Sequence, residues 1–307
     1  MSSSPDRSRR PPLLETAPGT RRGPFGFAEW ALLVGIVLVW GSSYILIDIG
    51  LEAFEPPLVT WIRVTLGFAV LVGFPAARKP VDRSDWGRVA VLGVSWPAVG
   101  FLLGPISQQH ISSAMAGMIN SLVPIFSAII AMLLLRTLPR LRQAAGILLG
   151  FAGSMMVGLP AAQGSPTAAW GILLAVVAAV LYGLSFNVSV PLQQRYGAPA
   201  VMMWALGLAA VLTAPFGMAA LRDSVWTIES VVAVTVLGVL NTGLAFVMVT
   251  LFAGRVGPTR GSVPIYFLPV VAMVLGVLVR GDTVLPLQVA GTSLVLLGAL
   301  VISLREV

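Results

Sequence analysis

Ten stretches of about 20 mostly apolar residues dominate the chain, and short polar segments separate them. Only 10% of the residues are charged and 57% are hydrophobic, whereas about a quarter of a soluble domain is charged. This mixture cannot form a water-exposed surface, so lipid must surround most of the chain. We therefore predict an all-α integral membrane protein with ten transmembrane helices, at residues 29–49, 57–77, 86–106, 111–135, 143–160, 168–190, 199–220, 229–252, 259–279 and 285–304.

The distribution of basic residues predicts the orientation of these helices, because cytoplasmic loops carry an excess of Lys and Arg. With the N-terminus inside, the outer loops hold only Arg222 and Arg280, and Arg63 lies within a span. The cytoplasmic segments hold the other sixteen basic residues: Arg7, Arg9, Arg10, Arg21, Arg22, Arg78, Lys79, Arg83, Arg88, Arg136, Arg140, Arg142, Arg195, Arg255, Arg260 and Arg305. This predicts a multi-pass protein of the inner or plasma membrane with both termini in the cytoplasm. Residues 1–28 are predicted to form a disordered cytoplasmic tail.

The chain also contains an internal duplication. Residues 124–153 recur at 269–298, 145 positions later and without insertion or deletion, so that Pro124 matches Pro269, Gly146 matches Gly291 and Gly153 matches Gly298. A looser match, 142 positions apart, pairs residues 40–44 with 182–186. The period is far too long for a solenoid.

The duplication divides the predicted helices into a first repeat at 29–160 and a second at 168–306. Each copy holds five spans, and because five is odd the two copies are predicted to be antiparallel. Two inverted five-helix repeats around one central site are typical of transporters.

The first predicted span carries Trp40, Tyr44 and Asp48 on one helix face, four residues apart. They form either a recognition stripe for an amine or an aromatic solute, or an interfacial aromatic belt with Asp48 at the headgroups. Arg63 lies about 9 Å inside the second span. It either faces a cavity, reaches the outer interface or pairs with Asp48. We predict that Asp48 and Arg63 either place charge at the outer mouth of the transport site or take part in coupling transport to an ion.

Other polar and Pro residues lie within the apolar spans. We predict that Asn120, Tyr182, Asn241 and Tyr266 join Trp40 and Tyr44 in lining a substrate-binding cavity; the alternative is that they hydrogen-bond between helices. Tyr182 occupies the repeat position of Trp40. Pro residues interrupt helical hydrogen bonding and mark either gating hinges or static bends, here at Pro124, Pro264 and Pro269.

Several chemistries lack their sequence signatures. There is no Cys and only one His, so the common zinc sites cannot be built. A phosphate-binding loop ending in Gly-Lys-Ser/Thr and a Gly-x-Ser-x-Gly motif do not occur either. We therefore predict that the protein is not an enzyme and uses no metal or cofactor. The scattered basic residues fit membrane orientation better than nucleic-acid binding.

Three segments carry a family resemblance. The run Trp40-Gly-Ser-Ser-Tyr44, Pro57 followed by Arg63, and the stretch from Ser112 through Pro124 to Gly153 resemble the EamA family of the drug/metabolite transporter superfamily. The second copy does so as well, from Gly238-Val-Leu-Asn-Thr-Gly243 through Pro269 to Gly298.

This resemblance implies a secondary transporter of small metabolites, commonly an exporter of amino acids or related compounds. It also implies that spans 1, 3, 4, 6, 8 and 9 line a central cavity. The family usually has Glu where the fourth and ninth spans end, whereas this chain has Thr137 and Asp282. A role for that acid is therefore retained at most in the second copy.

Together these features predict a carrier that works by alternating access, with a small-molecule substrate and the lipid bilayer as its partners. Two rival functions remain open: a membrane-embedded enzyme acting on a lipid-linked substrate, and a non-transporting partner subunit. Substrate identity, transport direction and coupling ion are not specified by these residues. Both monomer and homodimer stay open.

Overall fold

The computed structural model describes residues 25–136, 141–164, 166–256 and 263–303. Every regular element within these ranges is helical, and none of them contains a strand. The predicted cytoplasmic tail lies outside the described residues up to position 24, and Thr137 lies outside them as well. The all-helical prediction is therefore confirmed for the described part of the chain.

Each predicted span overlaps one apolar helix. In chain order these helices are α1 (Phe27–Leu51), α2 (Pro56–Val72), α3 (Arg83–Gln108), α4 (Ser113–Leu134), α5 (Leu141–Gly164), α6 (Pro166–Tyr196), α7 (Ala198–Ala220), α8 (Ile228–Val249), α9 (Leu268–Arg280) and α10 (Pro286–Ser303). Six of them, α1, α3, α4, α6, α7 and α8, are long and apolar enough to cross a membrane. The apolar parts of α2, α5, α9 and α10 are shorter.

Two helix ends differ from the predicted boundaries. Helix α2 stops at Val72 instead of residue 77, because Gly73 and Pro75 end it and a 3₁₀ turn, Pro75–Arg78, follows. Before α9, Val263–Phe267 form a 3₁₀ turn within the predicted ninth span, whose first residues, 259–262, lie outside the described residues. Helix α8 continues as helix to Val256.

Several helices are interrupted next to the candidate site that is described below. Helix α4 is divided into Ser113–Asn120 and Val123–Leu135, and Pro124 lies at the start of the second part. Pro269 similarly opens Leu268–Leu275, and Pro264 lies in the 3₁₀ turn before it. Proline has no N–H to continue a helix, which accounts for these breaks.

Two π-helical segments occur at equivalent positions of the two copies. They cover Val94–Gly100 in α3 and Val239–Leu244 in α8, and their first residues are separated by 145 positions, the same offset as the sequence repeat. A π-helical turn widens a helix and often marks a functional site. The first segment contributes Trp96 to the lining of the central cavity described below, and the second contributes Thr242, which hydrogen-bonds to Arg63 of that lining.

Helices α5 and α10 pack closely through glycines. A Cβ atom at Gly153 would lie 2.5 Å from the carbonyl oxygen of Gly291, and one at Gly298 would lie 2.5 Å from that of Gly146. Residue numbers rise along α5 as they fall along α10, so the two helices are antiparallel. Small residues permit this approach of two backbones, as they do in membrane helix pairs.

Large apolar side chains on the outer faces of the bundle are exposed, as in Val211 (71%) and Leu278 (75%). Such a surface suits lipid and not water. Inside, two clusters of buried side chains meet at α6, where Tyr182 and Phe186 pack against both. Helix α6 therefore lies between these two clusters.

Candidate functional site

A cavity lies between the two core clusters and contains side chains from both sequence copies. Its volume is 110 Å³, several times the volume of about 10–15 Å³ that one water requires by this measure. Six helices contribute one principal residue each: Trp40, Arg63, Trp96, Asn120, Tyr182 and Phe246. Leu268 of α9 also lines the cavity. The family resemblance implies that spans 1, 3, 4, 6, 8 and 9 line a central cavity. All six contribute to this lining, and α2 contributes in addition.

Arg63 enters this cavity from α2 and is only 6% exposed. Its Nε donates to Thr242 Oγ1 at 2.9 Å, and its guanidinium carbon lies 3.7 Å from the centre of the Phe101 ring. The ring contact is a cation–π interaction, which stabilises a desolvated cation. Thr242 Oγ1 in turn donates to the carbonyl of Leu237 at 2.9 Å, so the π-helical segment of α8 positions the arginine.

Aromatic side chains form a layer across the middle of the bundle. The Trp96 ring lies 4.8 Å from Phe186, 5.5 Å from Phe246 and 6.3 Å from Tyr182 between centroids. The Trp40 ring meets Phe246 edge-on at 6.0 Å. Tilted and edge-on rings at these separations attract one another beyond their apolar burial. The rings of this aromatic layer line one end of the cavity.

Polar hydrogen bonds hold the aromatic layer to the backbone. The Tyr182 hydroxyl donates to the carbonyl of Gly100 at 2.8 Å, and Trp40 Nε1 donates to the carbonyl of Asn241 at 3.1 Å. Both acceptors belong to the π-helical segments of α3 and α8. The wider turns of these segments therefore fix the aromatic layer as well as Arg63.

Two buried polar residues line the opposite end of the cavity, where α3 ends. Both amide atoms of Gln108 and the hydroxyl of Ser107 lack a hydrogen-bond partner among the described residues. Gln108 is 7% exposed and Ser107 is 1% exposed. Buried amides are nearly always hydrogen-bonded, so this end of the cavity is suited to a polar ligand group or to water.

Ion pairs lie at both ends of the bundle. At the predicted cytoplasmic end, the buried Asp85 carboxylate contacts Arg195 at 2.5 Å and Arg88 at 3.2 Å, and accepts from the Tyr196 hydroxyl at 2.7 Å. This group links the start of α3 to the end of α6. At the other end, Arg280 of α9 pairs with Asp48 of α1, at 2.5 Å, and with Glu52, which directly follows α1.

The structure brings five of the eight predicted binding and charge residues together in the cavity: Trp40, Tyr44, Arg63, Asn120 and Tyr182. Asp48 is not among the lining residues, and it pairs with Arg280 rather than with Arg63. The side chain of Tyr266 lies outside the described side chains.

Asn241 does not border the cavity. Its amide nitrogen donates to the carbonyl of Val39 and, at 3.1 Å each, to the hydroxyls of Ser42 and Ser43. These contacts hold the break in α1, where Phe27–Gly41 meets Ser43–Leu51. The arrangement corresponds to the hydrogen-bonding alternative considered for this residue.

Sequence reasoning missed Gln108, which it assigned to a loop, and the rings of Trp96, Phe101, Phe186 and Phe246. Helix α3 continues to Gln108, and one signal was present in its spacing. Gly104 and Gln108 follow Phe101 by three and seven residues, so all three share one helix face. The aromatic residues gave no such signal, because lipid-facing positions are equally apolar.

The chain is similar to known proteins over most of its length. A solved crystal structure superimposes with a TM-score of 0.63 at 22% identity and covers 89% of this chain and 96% of that one. A protein of Archaeoglobus fulgidus named an uncharacterized transporter is 23% identical over 274 residues, 89% of this chain and 98% of its own length.

Two further relatives have more specific names. A protein of Streptantibioticus cattleyicolor, named a probable terminal-alkyne amino-acid exporter, is 25% identical over 283 residues, 91% of this chain and 94% of that protein. A protein of Salmonella typhimurium, named a probable amino-acid metabolite efflux pump, is 24% identical over 282 residues, 87% of this chain and 91% of the pump.

These names denote transporters and not enzymes, and the apolar helices agree with a multi-pass membrane protein. The profile of the EamA-like transporter family matches residues 29–159 and 169–304, which together make up most of the chain. The chain therefore belongs to the EamA-like transporter family.

Proposed function

We propose that the protein is a secondary transporter that exports small metabolites, amino acids or related compounds, through the central cavity. One observation carries this proposal: the central cavity, which holds the buried Arg63, is lined by both sequence copies, by Trp40 and Arg63 of the first and Tyr182 and Phe246 of the second. A site between two repeats is the arrangement that alternating access requires. The names of the two amino-acid exporters among the relatives support the substrate class.

The mechanism that we propose is rocking of two inverted five-helix repeats, at residues 29–160 and 168–306, within a ten-span protein. The glycine contacts of α5 and α10 support it. Gly146 and Gly153 of the first copy correspond to Gly291 and Gly298 of the second. Gly146 lies against Gly298, and Gly153 lies against Gly291, so the two contacts are exchanged by the relation between the copies. Such reciprocal contacts are typical of a two-fold relation, and the antiparallel α5 and α10 are the fifth helices of the two copies.

We propose that the present arrangement is closed toward the cytoplasm. Along α3, Asp85 precedes Trp96 by about 16 Å of helix rise, and Gln108 lies at the far end. The aromatic layer and the Asp85 ion pairs both lie on the predicted cytoplasmic side of the cavity. Opening that side would require the contacts of Asp85 with Arg195 to break.

Pro124, Pro264 and Pro269 are the positions at which we expect this movement to bend the helices. Pro124 and Pro269 occupy equivalent places in the two copies, and each opens a new helical segment next to the cavity. Bends at symmetric positions would let both repeats move by the same kind of helix bending.

The transport proposal is tested by comparing intracellular and exported metabolites in cells with and without the protein. We expect at least one amino-acid-like metabolite to accumulate outside the cells that express the protein and to be retained by those that lack it. Purified protein in proteoliposomes should move the same solute, and adding a proton gradient tests the coupling. An unchanged metabolite profile together with inactive proteoliposomes would contradict the proposal.

The orientation is tested by single-cysteine labelling, which is simple because the chain has no Cys. Ser84 and Asp223 are exposed and lie at opposite ends of the bundle according to the predicted topology. In intact cells, a membrane-impermeant maleimide should label Asp223→Cys and should label Ser84→Cys only after permeabilisation. The reverse pattern would invert the predicted topology, and labelling of both sites from outside would contradict the odd number of spans predicted between them.

A further inference from the structure

The central cavity has a net positive charge. Arg63 is the only charged side chain among its described lining residues. Elsewhere Asp48 is paired with Arg280, and Asp85 with Arg195 and Arg88. No described acidic side chain forms an ion pair with Arg63. A buried cation without a counter-ion is unfavourable, so a bound anion would be stabilised in this cavity.

The guanidinium group of Arg63 is oriented but has free donors. Thr242 takes the Nε donor and Phe101 covers one face. The two terminal nitrogens, which carry four further N–H donors, have no hydrogen bond to any described residue. Their fork matches the two oxygens of a carboxylate and can bind both at once. Arg63 is therefore held in place for a planar anion before one arrives.

A second polar contact lies on the wall that holds Phe101. Gln108 is seven residues further along α3, which corresponds to about 10 Å of helix rise. Both of its amide atoms are buried without a partner. Between these two points the wall is mostly apolar, with Ile47 of α1 and Ala175 of α6 on its other sides. A ligand with a carboxylate at one end and an uncharged polar group at the other would satisfy both.

The same lining disfavours a ligand ammonium group. No carboxylate is available to pair with it among the described lining residues, and Arg63 would repel it. We propose that the cavity selects organic carboxylates of net charge −1, with Arg63 binding the carboxylate and Gln108 an uncharged polar end, over zwitterions and cations. This inference rests on the proposed transport function and narrows its substrates to those related compounds that lack a free ammonium group.

The test uses three probes that share the isobutyl side chain of leucine and differ in charge: 4-methylpentanoate (−1), leucine (zwitterion) and 3-methylbutylamine (+1). Binding to the purified full-length protein in lipid nanodiscs is followed by tryptophan fluorescence, since Trp40 and Trp96 line the cavity. A binding measurement avoids the passive leakage of weak acids through liposomes. We expect the carboxylate to bind at least about tenfold more tightly than leucine or the amine.

Substitutions assign this preference to Arg63. We expect Arg63→Gln to weaken 4-methylpentanoate binding at least about tenfold and Arg63→Lys to weaken it less, because lysine keeps the charge but loses the fork. The matched control is Arg222→Gln, which removes an exposed charge at the end of α7 and should leave binding unchanged. The probe series on the unmodified protein decides the question even when Arg63→Gln does not fold.

Gln108 is tested with glutaramate, which has a carboxylate at one end and an amide at the other. Gln108→Leu should weaken glutaramate binding at least about fivefold and spare 4-methylpentanoate. Its control is Gln109→Leu at the neighbouring exposed position, which should change neither. An equal loss for both probes, or none for glutaramate, would remove Gln108 from the site.

The charge assignment would be overturned if 4-methylpentanoate did not bind, or if leucine or the amine bound equally well. Transport of an identified solute by a protein with no charge preference would contradict this inference alone. Binding of carboxylates by a protein that transports nothing would instead contradict the proposed function.

Discussion

Replacing Trp40 or Tyr182 by alanine should reduce transport of the exported solute at least about tenfold while leaving the amount of protein in the membrane unchanged. The Tyr182 ring contacts Trp96 and Phe101, and its hydroxyl donates to Gly100. Trp40 contacts Phe246 and donates to Asn241. Loss of either ring would remove part of the cavity wall that the solute contacts and admit water in its place, so the site would bind the solute less tightly.

The chain offers matched controls on the same two helices. Trp30 of α1 and Trp170 of α6 are more than half exposed on the outer surface, where lipid would replace their contacts. Trp30→Ala and Trp170→Ala should retain transport. Tyr182→Phe separates the hydroxyl from the ring, and we expect an intermediate rate. If Trp40→Ala and Tyr182→Ala both transported like the unmodified protein, with normal expression, the cavity would not be the transport site.

The second large effect is expected on stability, from Gly153→Leu. A Cβ atom at this position would meet the backbone oxygen of Gly291 at 2.5 Å, and backbone cannot rotate away as a side chain can. Helices α5 and α10 would have to separate, which we expect to cost about 2–3 kcal/mol, as overpacking does in protein cores. The midpoint of thermal unfolding in detergent should fall by about 5 °C.

Gly291→Leu should have a similar effect, because its Cβ atom would meet the Gly153 oxygen at 2.6 Å. Gly87→Leu is the control: this glycine is exposed and no atom lies within 4 Å of the added Cβ. We expect no loss of thermal stability there. If Gly153→Leu and Gly87→Leu unfolded at the same temperature, the close contact of α5 and α10 would not contribute to stability.

The positions of the helices could be predicted because an apolar run of about 20 residues has few alternatives in lipid. Their ends were less predictable where proline intervened, as at Pro75 after α2. Inward-facing polar residues could also be identified, since Arg63 and Asn120 are costly within an apolar span unless they face protein or a cavity. Both line the central cavity.

Partner choice could not be read from the same residues. Asp48 and Arg63 lie on neighbouring helices and have opposite charges, yet Asp48 pairs with Arg280 of the second copy and Arg63 with Thr242. Both partners come from residues more than 170 positions away in the chain, so that helix packing, and not sequence proximity, selects them. Asn241 likewise uses its amide on α1 and not in the cavity.

By itself, the sequence determined the helical class, the positions of the apolar helices, the duplication and the family resemblance, because each depends on patterns along the chain. Only the tertiary structure decided which aromatic side chains surround the cavity and that Arg63 lacks an acidic partner among the described residues. The physical reason is that lipid and protein interior are equally apolar. A Trp or Phe that faces lipid therefore looks the same in sequence as one that faces a substrate, until the helices are packed together.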